Sequence, residues 1–484
     1  MWSEPVFDIT KLHRIVPVIV IIVNGLTVGV FAGFAGLALA MRRERQFCID
    51  SLECDSRSYN LVFNCAWIGQ ALLGPFNGYV LDRAGPRVLT LIGALLAMGG
   101  LLFIAVSDTS PGVNGAYAGF DGWAGGFFLL GAAAPALQSP LFQLANLFVN
   151  RSTITSSVVS MFILSTAILP IVNEIHHAAG GQVSLRTLLL GLLVQPALCC
   201  CTSLLLIPRK SIPAGFLAEK ERAIEEARLP APVVVSEKLL KQTPSGRRLL
   251  RRRVRRFRLR RALDAAPRLQ RSKQSKVFPL ARLVALGNAK HGFWRQALSL
   301  EAIVAFFYFG FGLVHFNWYV ATSRDQLVAL GDDGLLSRAF PFILPAGVLA
   351  TPFIGLLLDR GGIVATIWVS SLNVVLIAVL TLIPSLQAQW LTFLLLSIGR
   401  PLHMSLYFSC FGLFGLQHFG KLTSSIGFVI FGATNQLQFA LLELVQVDAS
   451  GRKDFTHANV VLLALAVGLG VAMSVMGCVR LNLK

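Results

Sequence analysis

Gly78-Tyr79-Val80-Leu81-Asp82-Arg83-Ala84-Gly85-Pro86-Arg87 separates two long apolar runs, and Gly355-Leu356-Leu357-Leu358-Asp359-Arg360-Gly361-Gly362 separates two others. Each segment sets an Asp-Arg pair four residues after a glycine and puts another glycine close behind. The flanking runs decide what kind of chain this is. Residues 15–40, 88–106 and 363–382 carry no charge, and a helix needs about 20 such residues to cross a hydrocarbon core. The apolar region of a cleaved secretory signal is shorter, so 15–40 reads as a retained first span. Over all 484 residues 55% are apolar and 14% charged, against about 25% charged in soluble domains. Mean hydropathy is +0.67. This composition excludes soluble enzyme folds and predicts an all-α polytopic membrane protein.

Twelve transmembrane helices are expected. Six lie near 15–41, 59–81, 88–107, 122–149, 154–173 and 187–207, and six near 297–322, 338–358, 363–383, 388–415, 421–446 and 457–479. The domains follow: an N-terminal segment 1–14, a six-helix bundle 15–207, a hydrophilic loop 208–296, a second six-helix bundle 297–479 and a tail 480–484. The formal net charge is +19, and the central loop alone holds 24 Lys/Arg against six acids. With both termini and this loop on the cytoplasmic side, the other inside segments hold nine Lys/Arg and four acids, the outside loops eight and twelve. Positive residues favour the inside, which supports this orientation.

The two glycine/Asp-Arg segments occupy equivalent places in the two bundles, so the halves read as parallel repeats. Parallel halves around a midplane site are the logic of the major facilitator fold, and the sequence resembles that superfamily at its motif G-x-x-x-D-R-x-G-R-R. Gly78, Asp82, Arg83, Gly85 and Arg87 match well, whereas Gly355, Asp359 and Arg360 form a truncated copy. Such a cluster can hold one end closed through the carboxylate, a helix N-terminus and the arginines. A tight turn with a topology-fixing charge pair is the alternative, and two copies at equivalent places favour the gate.

Further segments carry a narrower resemblance. They are Leu61-Val62-Phe63, Arg151-Ser152-Thr153-Ile154, Ser165-Thr166-Ala167-Ile168-Leu169-Pro170, the stretch from Asn317-Trp318-Tyr319 to Gln326-Leu327, Arg400, His418-Phe419-Gly420-Lys421-Leu422 and Gln436-Leu437-Gln438. In this order they resemble solute carrier family 43, the system-L-type large neutral amino acid transporters, and the related apicomplexan amino acid transporters. The resemblance spans both halves but not the central loop. It implies sodium-independent facilitated movement of amino acids by alternating access, large neutral ones favoured. Cationic amino acids or another small solute, with proton coupling, remain the alternative. It also implies that spans one, four, seven and ten line the cavity.

Arg400 is the one cation deep in a span, and an intramembrane ionisable residue marks a functional site by default. Arginine binds a carboxylate through two parallel hydrogen bonds; the alternative is a structural arginine held by helix carbonyls or Glu443. Asn24, Gln138, Gln143, His315, Asn317 and His403 are further candidates for substrate contact. Asn24 shares its span with Gly25, Gly29 and Gly33, which suit close helix packing as readily as a substrate. Gln138 lies between Pro135 and Pro140, where a broken helix frees carbonyls. The aromatics Phe306–Phe311 on span seven either pack or face lipid, or supply an apolar pocket. His403 can titrate or simply satisfy its hydrogen bonds within the protein. No carboxylate stands mid-span, which favours a uniporter over a proton-coupled carrier.

Cys48 and Cys54 lie in the first outside loop and can close it as a disulfide or remain free. No pattern suggests a metal, and no cofactor is implied. The arginine run 247–261 suits anionic lipid at the cytoplasmic leaflet, with a solvated linker as the alternative. Nucleic acid binding does not fit twelve spans. A membrane-embedded enzyme would need clustered intramembrane Asp, His or Ser, which the sequence lacks, so a carrier in the plasma membrane or an organelle membrane is expected.

Overall fold

The computed structural model describes residues 15–48, 56–107, 120–144, 151–180, 182–209, 292–412, 421–447 and 453–482. A helical segment stands at each of the twelve expected positions. Among the described residues eight helices are long and apolar enough to cross a membrane, or nine counting the bent first pair. Spans are numbered here in chain order. Span 1 is Ile15–Val28, a 3-10 turn Val30–Gly33 and Phe34–Arg43, bent by 48°. Spans 2 and 3 form one assigned helix, Ser56–Val106, sharply kinked at Gly85. Span 4 is Phe120–Leu144, span 5 Arg151–Ser165 plus Ile168–Ala178, and span 6 Leu185–Gly191 plus Val194–Leu205.

The second half repeats the plan. Span 7 is Leu300–Ala329, about two turns longer than its apolar run indicates. Span 8 comprises Leu335–Ile343, a 3-10 segment Leu344–Ala350, Thr351–Leu356 and a π turn Leu357–Gly361. Spans 9 and 10 are Gly362–Thr381 and Leu386–Gly412. Span 11 is Lys421–Gly427, Phe428–Asn435 and Leu437–Glu443. An antiparallel pair, β1 (Gln446–Val447) with β2 (Lys453–Asp454), leads into span 12, Thr456–Asn482.

Burial separates central from peripheral spans. In spans 4 and 7, 72% of the apolar window is buried, against 22% in span 6 and 17% in span 12. The exposed residues of span 12 include Val460, Val467, Val471 and Val475, an aliphatic surface suited to lipid. Span 1 packs on span 5 through a stripe of small residues. A Cβ at Gly25 would meet Met161, at Gly29 the Phe162 carbonyl and Ser165 Oγ, and at Gly33 the Thr166 carbonyl. Such stripes let backbones approach closely in lipid, where apolar burial gives no net drive. The span 1 glycines are therefore packing residues. The two halves meet where span 2 runs along span 11 and span 5 along span 8.

The repeated segments share a backbone conformation. Gly85 has φ 86° and ψ 172°, and Gly362 has φ 76° and ψ 174°. This region is essentially restricted to glycine. It turns the chain between spans 2 and 3 and again between spans 8 and 9, each three residues after the Asp-Arg aspartate. Gly362 is thus the second-half partner of Gly85. Gly85→Ala and Gly362→Ala are each expected to cost about 1–3 kcal/mol through backbone strain. The check is the melting temperature of the solubilised protein, and an unchanged value for either variant would contradict the shared role.

At the start of span 8, Asp332 accepts hydrogen bonds from the backbone N–H groups of Leu336 (3.0 Å) and Ser337 (2.9 Å) and from Ser337 Oγ–H (2.6 Å). Burial raises its pKa, but these hydrogen bonds outweigh burial and hold the carboxyl below its ordinary value.

Candidate functional site

Arg400 sits near the middle of the 27-residue span 10 and is 1% exposed. Its Nε, Nη1 and Nη2 have no hydrogen-bond partner among the described residues. Its guanidinium carbon lies 5.8 Å from the ring centroid of Phe162 on span 5, so a cation of the second half rests against an aromatic ring of the first. The suggested pairing with Glu443 does not occur. That carboxylate is 75% exposed at the end of span 11 and lies 4.0 Å from Arg57. A fully buried guanidinium with no acceptor is costly. Its N–H fork suits one partner above all, a planar anion such as a carboxylate.

Irregular backbone surrounds this arginine. In span 5 the helix is interrupted after Ser165, whose hydroxyl donates to the Phe162 carbonyl (2.6 Å) and accepts from the Gly29 N–H of span 1 (2.9 Å). The 3-10 segment of span 8 brings Gly347 against the Ser397 carbonyl, one turn from Arg400. Non-helical backbone at membrane depth is tolerated where protein covers it or where it lines a cavity. By contrast span 4 runs unbroken through Pro135 and Pro140. The break expected beside Gln138 is therefore absent. Burial on most sides holds the helix together, and each proline removes only one internal hydrogen bond.

The halves touch on both sides of Arg400. Toward the central-loop end, Phe142 of span 4 packs against Phe408 of span 10, with ring centroids 4.7 Å apart and the planes tilted by 49°. Gln143 lies beside Phe142 in the chain, and its Oε1 has no partner among the described residues. Toward the opposite end, Asp325 of span 7 pairs with Arg42 of span 1 and Lys453 of β2, each at 3.1 Å. Arg42 also lies over the Tyr59 ring of span 2, 4.7 Å from its centroid. Between this ion cluster and Arg400 lies an amide cluster. Asn317 Nδ2 donates to Asn435 Oδ1 (3.0 Å), as does Gln438 Nε2 (2.7 Å), and Asn435 Nδ2 donates to Asn64 Oδ1 across the interface between halves. The sequence signalled Asn317 as a candidate and Gln438 and Asp325 only within segments of family resemblance, and it did not signal Asn64, Asn435, Arg42 or Lys453.

Other candidates are placed elsewhere. Asn24 donates to the Val20 carbonyl (2.9 Å) and to Thr202 Oγ1 of span 6 (3.0 Å), which makes it a joint within the first half. His403 has both ring nitrogens engaged, Nδ1 with Ser370 Oγ (3.1 Å) and Nε2 with the Phe309 carbonyl (3.2 Å). It joins spans 7, 9 and 10 by packing and leaves neither nitrogen free for a ligand. His315 points to another place, a cavity of about 20 Å³ bordered by Tyr308, Ser371 and span 12 residues. Phe306 and Phe309 are buried against Phe411 and Tyr407 of span 10, while Phe307 is 44% exposed. The aromatic stripe is thus mainly packing.

At the repeated segments the side chains of Asp82 and Asp359 lie outside the described residues. Arg87 Nε donates to the Ile207 carbonyl (2.8 Å), and Ser203 Oγ–H donates to the Arg87 carbonyl (2.7 Å). Both bonds tie span 3 to span 6 within one half. Arg83 and Arg360 are exposed. Cys48 is disulfide-bonded, and Cys54, its expected partner, lies outside the described residues. Among the described residues no group of three or more His, Cys, Asp or Glu can hold a metal.

Two halves of six helices, a glycine-hinged segment repeated in each and a buried cation between them define a membrane carrier. Residues 18–441 match the model of the Major Facilitator Superfamily, and the chain belongs to that family. It is therefore an integral multi-pass membrane transporter of a small solute and not an enzyme. Among curated proteins it is similar to Protein FMP42 of Saccharomyces cerevisiae, 25% identical over 412 residues that cover 78% of this chain and 77% of that protein. Solved structures share the fold. The proton:xylose symporter XylE superposes with TM-score 0.60 at 15% identity, covering 95% of this chain and 94% of that one. The peptide transporter POT in complex with alafosfalin gives 0.57 at 14%, covering 95% and 94%, and the nucleoside transporter NupG 0.54 at 13%, covering 95% and 99%.

Proposed function

We propose that this chain carries amino acids, large neutral ones in preference, by sodium-independent facilitated alternating access, with the substrate carboxylate held by Arg400. The observation that carries the reading is the guanidinium itself, fully buried between the halves with no acceptor among the described residues. An amino acid supplies that acceptor, and its binding draws Arg400 of one half and Phe162 of the other around a shared ligand. The resemblance to solute carrier family 43 supports the substrate class. Carboxylate placement supports the uniport mode: among the described residues of the spans, Asp121, Glu174, Glu301, Asp325 and Glu443 all stand within about a turn of a span end. None is at the depth of Arg400.

The segments at Asp82 and Asp359 act as hinges and gate at the central-loop end in this reading, and the disulfide at Cys48 closes on Cys54. The arginine run 247–261 lies outside the described residues; its charge suits anionic lipid of the plasma membrane. Uptake of a labelled amino acid panel into oocytes, with and without sodium and at two pH values, tests the function. Saturable leucine or phenylalanine uptake indifferent to sodium and pH is expected. No amino acid uptake by protein shown at the surface would overturn the reading.

A further inference from the structure

Arg400 accounts for one end of an amino acid. The amide cluster bears on the other, and its hydrogen-bond polarity follows from one fixed point. Asn64 Nδ2 lies 3.0 Å from the backbone carbonyl of Asn60, which can only accept. Asn64 Oδ1 therefore faces Asn435 and requires its Nδ2 there. Asn435 Oδ1 then faces Asn317 and Gln438, so both of these must present nitrogen. Each step fixes an amide orientation that electron distribution alone rarely distinguishes. The relay ends with the carbonyl oxygens of Asn317 and Gln438 left over. Both residues are 0% exposed, and both oxygens lack a hydrogen-bond donor among the described residues.

Asn317 lies at the depth of the arginine, and Gln438 of span 11 joins it through their shared bond to Asn435. A Cβ built on Gly399 would touch the Phe316 ring, so the turns carrying Arg400 and Asn317 adjoin on neighbouring spans. Counted from the opposite end, Asn317 and Arg400 lie at depths of about 18 and 21 Å at 1.5 Å per helical residue. The cluster also contains Asn64 of the first half, so the two acceptors are tied to both halves of the carrier through Asn435.

We infer that Asn317 Oδ1 and Gln438 Oε1 accept the substrate's α-ammonium group, which makes zwitterionic α-amino acids, rather than carboxylates in general, the substrate class. This rests on the proposed function, in which Arg400 takes the carboxylate. Two buried acceptors without donors complement a cation that brings three N–H groups. Replacing either residue by leucine leaves Asn435 Oδ1 bonded to the other, so the cluster keeps its anchor.

The test is competition against labelled leucine uptake by the full-length protein in oocytes. The competitors are leucine and 4-methyl-2-oxopentanoate, which keeps the carboxylate and side chain but has a ketone in place of the ammonium. Wild type is expected to prefer leucine by about 10–100-fold, the range for a hydrogen bond to a charged group. Asn317→Leu and Gln438→Leu should each cut that preference about tenfold while the oxo acid competes as before. Asn317→Gln, which keeps both the carbonyl oxygen and the N–H donor toward Asn435, should retain most of it. The ratio is read within each variant, so expression level cancels. An unchanged ratio in both leucine variants, or equal weakening of both competitors, overturns the ammonium site and leaves the Arg400 reading standing. A leucine preference that disappears when choline replaces sodium would give the oxygens to a metal ion and overturn it as well. Absence of any leucine uptake by the wild type overturns the proposed function, and this inference with it.

Discussion

Arg400→Ala is expected to abolish amino acid uptake while the protein reaches the membrane in normal amount. The two effects separate because the side chain makes no hydrogen bond within the protein among the described residues. Truncating a buried charge usually strands its partner, and among the described residues Arg400 has no hydrogen-bond partner to strand. Arg400→Met, which keeps length and removes charge, should leave the melting temperature of the ligand-free protein unchanged or higher, because burying an unpaired cation is unfavourable. Transport should nonetheless fall by more than about 100-fold, since a desolvated, hydrogen-bonded charge pair is worth about 2–5 kcal/mol when one partner is removed. Arg400→Lys should retain a small fraction of uptake, because an ammonium offers a point charge without the bidentate fork. Normal uptake by Arg400→Ala would refute the assignment. Loss of uptake together with a large fall in melting temperature would make Arg400 a structural residue.

The second large effect belongs to Asp325. Its carboxylate, 13% exposed, binds Arg42 across the two halves and Lys453 within its own. Asp325→Asn is expected to release the end opposite the central loop and leave the half-buried Arg42 without its counter-charge. At about 1–2 kcal/mol for the cluster, the population open at that end should rise about 5–30-fold. Val320, 2% exposed and about a turn deeper, reports the change. A cysteine there, in a background without reactive native cysteines, should react correspondingly faster with an impermeant thiol reagent added from that side. Lys453→Ala removes the contact to Asp325 within one half, leaves the Arg42 pair in place and should change the rate little. Equal, unchanged rates in both variants would show that Asp325 does not hold this end closed.

The helix positions were legible because each lipid-crossing segment must carry its own apolar run and satisfy its own backbone. Arg400 was legible for a related reason: a charge at that depth is costly enough to stand out. The partners of such groups were not. Arg42 and Asp325 are 283 residues apart, and each reads alone as an ordinary charge at a span end. Asn435 meets Asn64 across 371 residues, and nothing local in either span announces the pairing. Proline was also a poor guide to breaks. Span 4 continues through two prolines and span 1 breaks at Gly29–Gly33 without one, whereas the break of span 5 at Thr166–Ala167 does lie one turn before a proline, Pro170. There glycine contacts and hydroxyls bonded back to carbonyls take over from the helical ladder. His403 follows the second of its two readings, a histidine whose hydrogen bonds are satisfied within the protein. Its sequence position beside Arg400 suggests chemistry, and only the packing of spans 7 and 9 reveals both nitrogens to be occupied.

The account turns on a carboxylate meeting Arg400, and inhibition of labelled leucine uptake by leucinol measures that most directly. Leucinol keeps the ammonium and side chain of leucine and replaces the carboxylate with a hydroxymethyl group. It should compete about 100-fold or more weakly than leucine, the scale of a lost buried charge pair. Leucinol competing as well as leucine would mean that the carboxylate is not what this carrier binds, and would contradict the account.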